Sequence, residues 1–166
     1  MYNIGDRVVY GIHGVCQIVA QEERIIDRKK VQYYALEPVQ QPGTRYLVPT
    51  QNQAAVSKLK PMLTRQELDA LIRSDDVQKD AWIDDENRRK QTYRELINSG
   101  DRKSLIQMVG SLRRRKKEQL AAGRKFHQCD ENFLRDGEKL LSSEFAMVLG
   151  IAPDQVGQYL MDNFTK

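Results

Sequence analysis

The hydrophobic period of this chain changes once, near Pro61, and that change sets what it can fold into. Before it, short apolar runs of period two alternate with turn residues, at residues 6–10, 15–20, 31–36 and 45–48. Gly11 and Gly14 bracket the first turn, the charged residues 27–30 make a hairpin turn, and Pro42 and Gly43 make a third. Val56 falls in a short fifth strand. Short strands parted by Gly/Pro turns predict a small barrel. Pro49 stops the fourth strand, and proline is tolerated best at an edge. An exposed edge there could accept a strand from a partner.

After Pro61 the period becomes helical. Thr64 and Glu67 fit a capping box ahead of Leu68, Leu71 and Ile72. The next helix spans 77–98 and stops at Gly100. Asp101 caps a third, with Leu105, Ile106, Val109 and Leu112 on one side, ending near Gly123. Asp130 caps a fourth, in which Phe133, Leu134, Leu140, Leu141, Phe145, Val148 and Leu149 keep helical spacing before Gly150. Pro153 opens the last, with Val156, Leu160 and Phe164. The expected class is α+β with segregated halves: a barrel over 1–60, a linker with a short helix over 61–75, and a compact domain of four to five helices over 76–166.

Charge is unevenly spread. Residues 87–127 hold 13 Lys/Arg against 3 Asp/Glu, a local charge of +10, although the whole chain carries only +4. Acidic segments flank this stretch on both sides. A concentrated positive field on helices is the footprint of a polyanion partner. Contacts to phosphate fix affinity and position but read no sequence. At its edge stands Trp82, the only tryptophan. On a helix over 77–98 it would share a face with Glu86, Arg89 and Tyr93, beside a run, 84–91, without apolar side chains. A tryptophan so placed can wedge between base pairs or stack on an unpaired base; the bland alternative is a core residue.

Other chemistry finds little support. His13 and Cys16 lie in the first half, His127 and Cys129 in the second, which makes a poor zinc set. Both cysteines read as reduced thiols. No phosphate-binding glycine loop occurs, and the adjacent pairs Asp75-Asp76 and Asp84-Asp85 diverge on a helix. No secretory signal precedes the first strand, and the longest nearly apolar run, 145–152, is far short of the ~20 residues a spanning helix needs. The expectation is a cytoplasmic, nucleoid-associated protein without enzymatic activity, cofactor, metal, membrane contact or small-molecule substrate.

The string Gly5-Asp6-Arg7-Val8-Val9-Tyr10-Gly11-Ile12-His13-Gly14-Val15 resembles the opening of the CarD/CdnL family of bacterial transcription regulators. The likeness continues through Val48-Pro49, Trp82 ahead of Arg88-Arg89-Lys90, Ser99-Gly100-Asp101 and Ala122-Gly123-Arg124-Lys125. The resemblance implies a Tudor-like barrel that docks on the β subunit of RNA polymerase through an edge strand, here Arg45, Tyr46, Leu47, Val48 and Pro49, with Arg24 nearby. It implies a helical domain on promoter duplex DNA, largely without sequence specificity. There Trp82 would wedge into the minor groove beside the melted region, while Arg88, Arg89, Lys90 and Lys125, joined by Arg94, Arg113 and Arg124, hold the backbone. The implied outcome is a longer-lived open promoter complex. The alternative is an RNA-binding accessory module on ribosomal RNA; a third reading is an adaptor for an acidic protein.

Overall fold

The structure, a computed structural model, describes residues 2–164. It forms two compact units that divide between Met62 and Leu63, so the first helix after Pro61 belongs to the second unit.

The first unit is a five-stranded antiparallel sheet: β1 Arg7–Tyr10, β2 Val15–Ile26, β3 Lys29–Pro38, β4 Tyr46–Pro49 and β5 Leu59–Pro61. Their order is β4-β3-β2-β1-β5, which leaves β4 and β5 at the edges. All five strands feed one core cluster, built on Val8, Cys16, Ile18, Tyr34, Leu36, Val48 and Leu59. The second and third strands run longer than their apolar cores suggest, and join through a two-residue turn. Asp27 (φ 51°) and Arg28 (φ 65°) both take the left-handed conformation. That backbone twist matches paired strands, which is why such turns favour Asn-Gly. Register slips between Ile18 and Ala20, a bulge that bends β2. Val56 is corrected: it ends a one-turn helix, α1 Gln53–Val56, whose Asn52 cap accepts from the Ala55 amide at 3.2 Å. The fifth strand lies just beyond it, and Pro61 is its last residue, paired with Val8 on an edge where its missing N–H costs nothing.

The second unit holds six α-helices among the described residues: α2 Arg65–Arg73, α3 Asp75–Gln78, α4 Glu86–Ser99, α5 Arg102–Ala121, α6 Gln128–Leu149 and α7 Val156–Asn163. A 3₁₀ turn, Pro153–Gln155, leads into α7. The Thr64–Glu67 capping box forms as expected. The core is one cluster around Tyr93, Ile106, Met108, Leu112, Phe145 and Leu160. Phe164 closes it against Gly110, where an added Cβ would stand 2.7 Å from the phenyl ring.

Two helix expectations are corrected. The helix over 77–98 is two helices with a non-helical stretch, residues 79–85, between them. Aspartates cause the break, because short carboxylates compete for backbone amides. Asp80 accepts from the Trp82 N–H at 3.1 Å, and Asp85 caps α4 by accepting from the Arg88 N–H at 3.0 Å. Asp130 does not cap the next helix. His127 stands at the cap position, and Asp130 lies inside the first turn of α6, fully buried.

Replacing Arg28 with Gly should remove the left-handed strain and stabilise the first unit by about 1 kcal/mol. Hydrogen exchange of the β2 and β3 amides measures it; slower exchange is expected, and unchanged exchange would mean the turn is unstrained.

Candidate nucleic-acid interface and docking edge

Trp82 sits in the stretch before α4, and its surroundings are built from buried polar groups. The Ala81 peptide is held from both ends: its N–H donates to Ser111 Oγ at 2.7 Å, and its carbonyl accepts from Tyr93 OH at 2.9 Å. Burial pushes the Tyr93 phenol up to about 12, so it stays a donor at neutral pH. The indole Nε1–H donates to Asp84 Oδ1 at 3.1 Å. Arg89 Nη1 donates to the Ile83 carbonyl at 2.9 Å. Two guanidinium groups lie over the indole ring, Arg89 at 4.2 Å and Arg115 at 4.4 Å from its centroid. Cation–π contacts of this kind contribute about 0.5–2 kcal/mol each. Trp82 is half-buried and packs in part against the helical core, which places it between the wedge and the core residue that the sequence left open.

Arg89 requires a correction. Its guanidinium forms a fork with Asp130, Nε to Oδ1 at 2.9 Å and Nη2 to Oδ2 at 3.2 Å, and both side chains are under 5% exposed. Such a group has no surface to offer a phosphate. Asp130 stands in the first turn of α6, where the helix dipole also favours a negative charge.

The same theme recurs along α6. Glu144, also buried, accepts from Arg102 Nε at 2.6 Å and Nη2 at 2.7 Å and from the Leu63 backbone N–H at 2.8 Å. Glu138 pairs with Arg113, and Glu131 with Lys116 at 2.9 Å. Four carboxylates of one acidic helix therefore neutralise four cations of the basic segment. Lys90 is half-buried and pairs with Glu86 at 3.3 Å, and Lys103 pairs with Asp76 at 2.6 Å. Among the described residues, Arg88, Arg94, Lys117, Arg124 and Lys125 remain exposed with no ion pair recorded. Arg88 and Arg94, six residues apart, diverge by about 120° around α4, whereas Lys90 and Arg94 share a flank. Arg113 is engaged with Glu138 and lies against Gly157 of α7.

In the first unit, β4 pairs with β3 from Leu36↔Tyr46 to Tyr33↔Pro49, and its other side carries no strand among the described residues. Val48 is buried, while Tyr46, Leu47 and Pro49 are half-buried. The structure brings Arg24 and Arg45 together on one carboxylate: Glu22 lies 3.4 Å from Arg24 and 3.3 Å from Arg45. Tyr46 is steadied by Tyr10 and His13, with ring centroids at 5.9 and 4.1 Å. This contact gives His13 a structural place that its sequence spacing did not disclose. Neither cysteine suits nucleophilic chemistry: burial pushes the Cys16 thiol up to about 11 and raises that of Cys129. Among the described residues no three His/Cys/Asp/Glu are placed to hold a metal, and no helix is long and apolar enough to cross a membrane.

With that geometry, residues 2–60 match the family described as CarD-like/TRCF RID domain, and residues 68–161 match CarD, C-terminal domain. The chain belongs to the CarD family. The sheet of its first unit is thus Tudor-like, and the CarD-family chain is a transcription-associated factor that interacts with RNA polymerase. CarD-family domains are not enzymatic. A search of curated proteins found no match to the chain.

Asp130→Asn should destabilise the helical unit by about 3–5 kcal/mol, because it leaves the Arg89 charge buried without its partner. Urea unfolding followed by Trp82 fluorescence reads this directly; a loss under 1 kcal/mol would mean that water reaches the pair.

Proposed function

We propose that this CarD-family factor docks on the β subunit of RNA polymerase through β4 and stabilises the open promoter complex through its helical unit. The observation that carries the reading is Trp82: a half-buried aromatic ring held by a hydrogen bond to Asp84 and by two guanidinium groups, with the backbone fixed at Ala81 and Ile83 on either side of it. Ordering an aromatic wedge beforehand lowers the entropy lost when it enters a base step. Arg88, Arg124 and Lys125, with Arg94 and Lys90 on the flank of α4, supply the phosphate contacts. Arg89 and Arg115 act on the indole rather than on phosphate. At the other unit, the unpaired side of β4 offers main-chain groups to a polymerase strand, and Arg24 and Arg45 offer charge beside it.

The action follows from differential affinity. A wedge that fits only separated base pairs binds the open promoter more tightly than the closed one, and shifts the equilibrium by that difference alone. A tenfold longer-lived open complex needs only about 1.4 kcal/mol. Such a factor works in the cytoplasm on nucleoid DNA, and its few free cations read no sequence.

Trp82→Ala should shorten open-complex lifetime several-fold in a competitor-challenge assay while polymerase binding is unchanged; an unaltered lifetime removes the wedge. Arg88→Gln should lower the salt dependence of DNA binding by about 0.9 in the log–log slope, one phosphate's worth. The matched change Arg113→Gln should leave the slope as it is, since that charge is already paired; equal slopes for both variants would contradict the assignment.

A further inference from the structure

The helical unit carries a groove that the DNA reading does not use. It has a volume of about 830 Å³ and lies among α5, α6, the 3₁₀ turn and α7. Its apolar lining includes Leu120, Leu134 and Met161, and Leu120 is 56% exposed, one of the few large apolar side chains left in water. Leu134 lies one helical turn before Glu138 and is 5% exposed, so it forms part of the groove's floor of core side chains. Around the opening stand Lys117, Arg135 and Lys139, all exposed and with no ion pair recorded among the described residues.

The groove's own carboxylates are mostly satisfied from within. Glu131 is paired with Lys116 and Glu138 with Arg113, so those four charges cancel. What faces a visitor is an apolar strip flanked by three cations, with Asp154 as the one lining carboxylate outside these pairs. A duplex backbone uses only part of this, since phosphates could meet the three cations but gain nothing from Leu120 and Met161. An amphipathic helix that lays its apolar face on the strip, with acidic residues along its flanks, satisfies both features.

We propose that this groove takes an acidic amphipathic helix presented by RNA polymerase, as a second protein contact of the helical unit. The inference rests on the reading that the first unit docks on polymerase. Once that unit is bound, the second contact becomes intramolecular, so a groove of modest affinity suffices.

The test uses the full chain with a photo-crosslinking phenylalanine analogue at position 120, mixed with RNA polymerase holoenzyme without DNA. A parallel variant carries the same probe at position 46. The expected result is a crosslink from position 120 into an acidic helical stretch of a polymerase subunit. It should be lost in the background Lys117→Glu, Arg135→Glu, Lys139→Glu, which also weakens holoenzyme binding about tenfold. Crosslinking from position 46 alone overturns the groove proposal and leaves the docking edge standing. Crosslinks from neither position overturn both. A crosslink from position 120 only to a second copy of the chain, or only to promoter DNA once it is added, also overturns it.

Discussion

The buried fork between Arg89 and Asp130 is the interaction on which the helical unit depends. It joins α4 to the first turn of α6, and the same guanidinium reaches the Ile83 carbonyl and the Trp82 ring. Two charges out of water are costly unless geometry and hydrogen bonds are good. Here both carboxylate oxygens are engaged, the helix dipole adds to the attraction, and the arginine donates to backbone as well. A hydrophobic pair could have joined the two helices at less cost. It could not have fixed a non-helical backbone and an indole at the same time. The ion pair therefore links core packing to the position of Trp82, and through it to the proposed action on DNA.

The second organising fact is that α6 neutralises much of the basic segment. Asp130, Glu131, Glu138 and Glu144 each meet a cation of α4 or α5. The field that reaches solvent comes from far fewer residues than the count suggests. Non-specific affinity for DNA grows with each phosphate neutralised, so on the proposed reading a unit with a handful of free cations would bind duplex weakly alone. Weak binding suits a factor carried to its site by another contact, because tethering raises the local concentration. A fully exposed charge of +10 would instead hold the protein on bulk DNA.

Much of the fold was legible in the sequence. The change of period at Pro61 separated sheet from helices, and the Thr64 capping box, Asp101 cap and Gly150 stop were local signals that the structure keeps. What was not legible depended on distant partners. Asp130 has the chemistry of a cap, and only the approach of Arg89, 41 residues away, turns it inward. The helix over 77–98 failed because periodicity cannot weigh Asp80 and Asp85 competing for amides, nor foresee Ser111 holding Ala81. Val56 was read as strand because a one-turn helix has no period to detect. At the candidate interface, residue types were visible and their availability was not: Arg88 and Arg89 look alike in the chain, yet one is exposed and the other buried. The acidic residues 128–166 held a signal that could have warned of this, since an acidic helix following a basic one invites pairing.

The account turns on an indole that is already immobile in the free protein. Trp82 is the only tryptophan, so time-resolved fluorescence anisotropy reports on it without labelling. The account predicts a decay governed by tumbling of the folded unit, with little sub-nanosecond motion, and the appearance of such motion in Arg115→Ala, which removes one guanidinium from the ring. A ring that reorients freely within a nanosecond in the unaltered protein would contradict it.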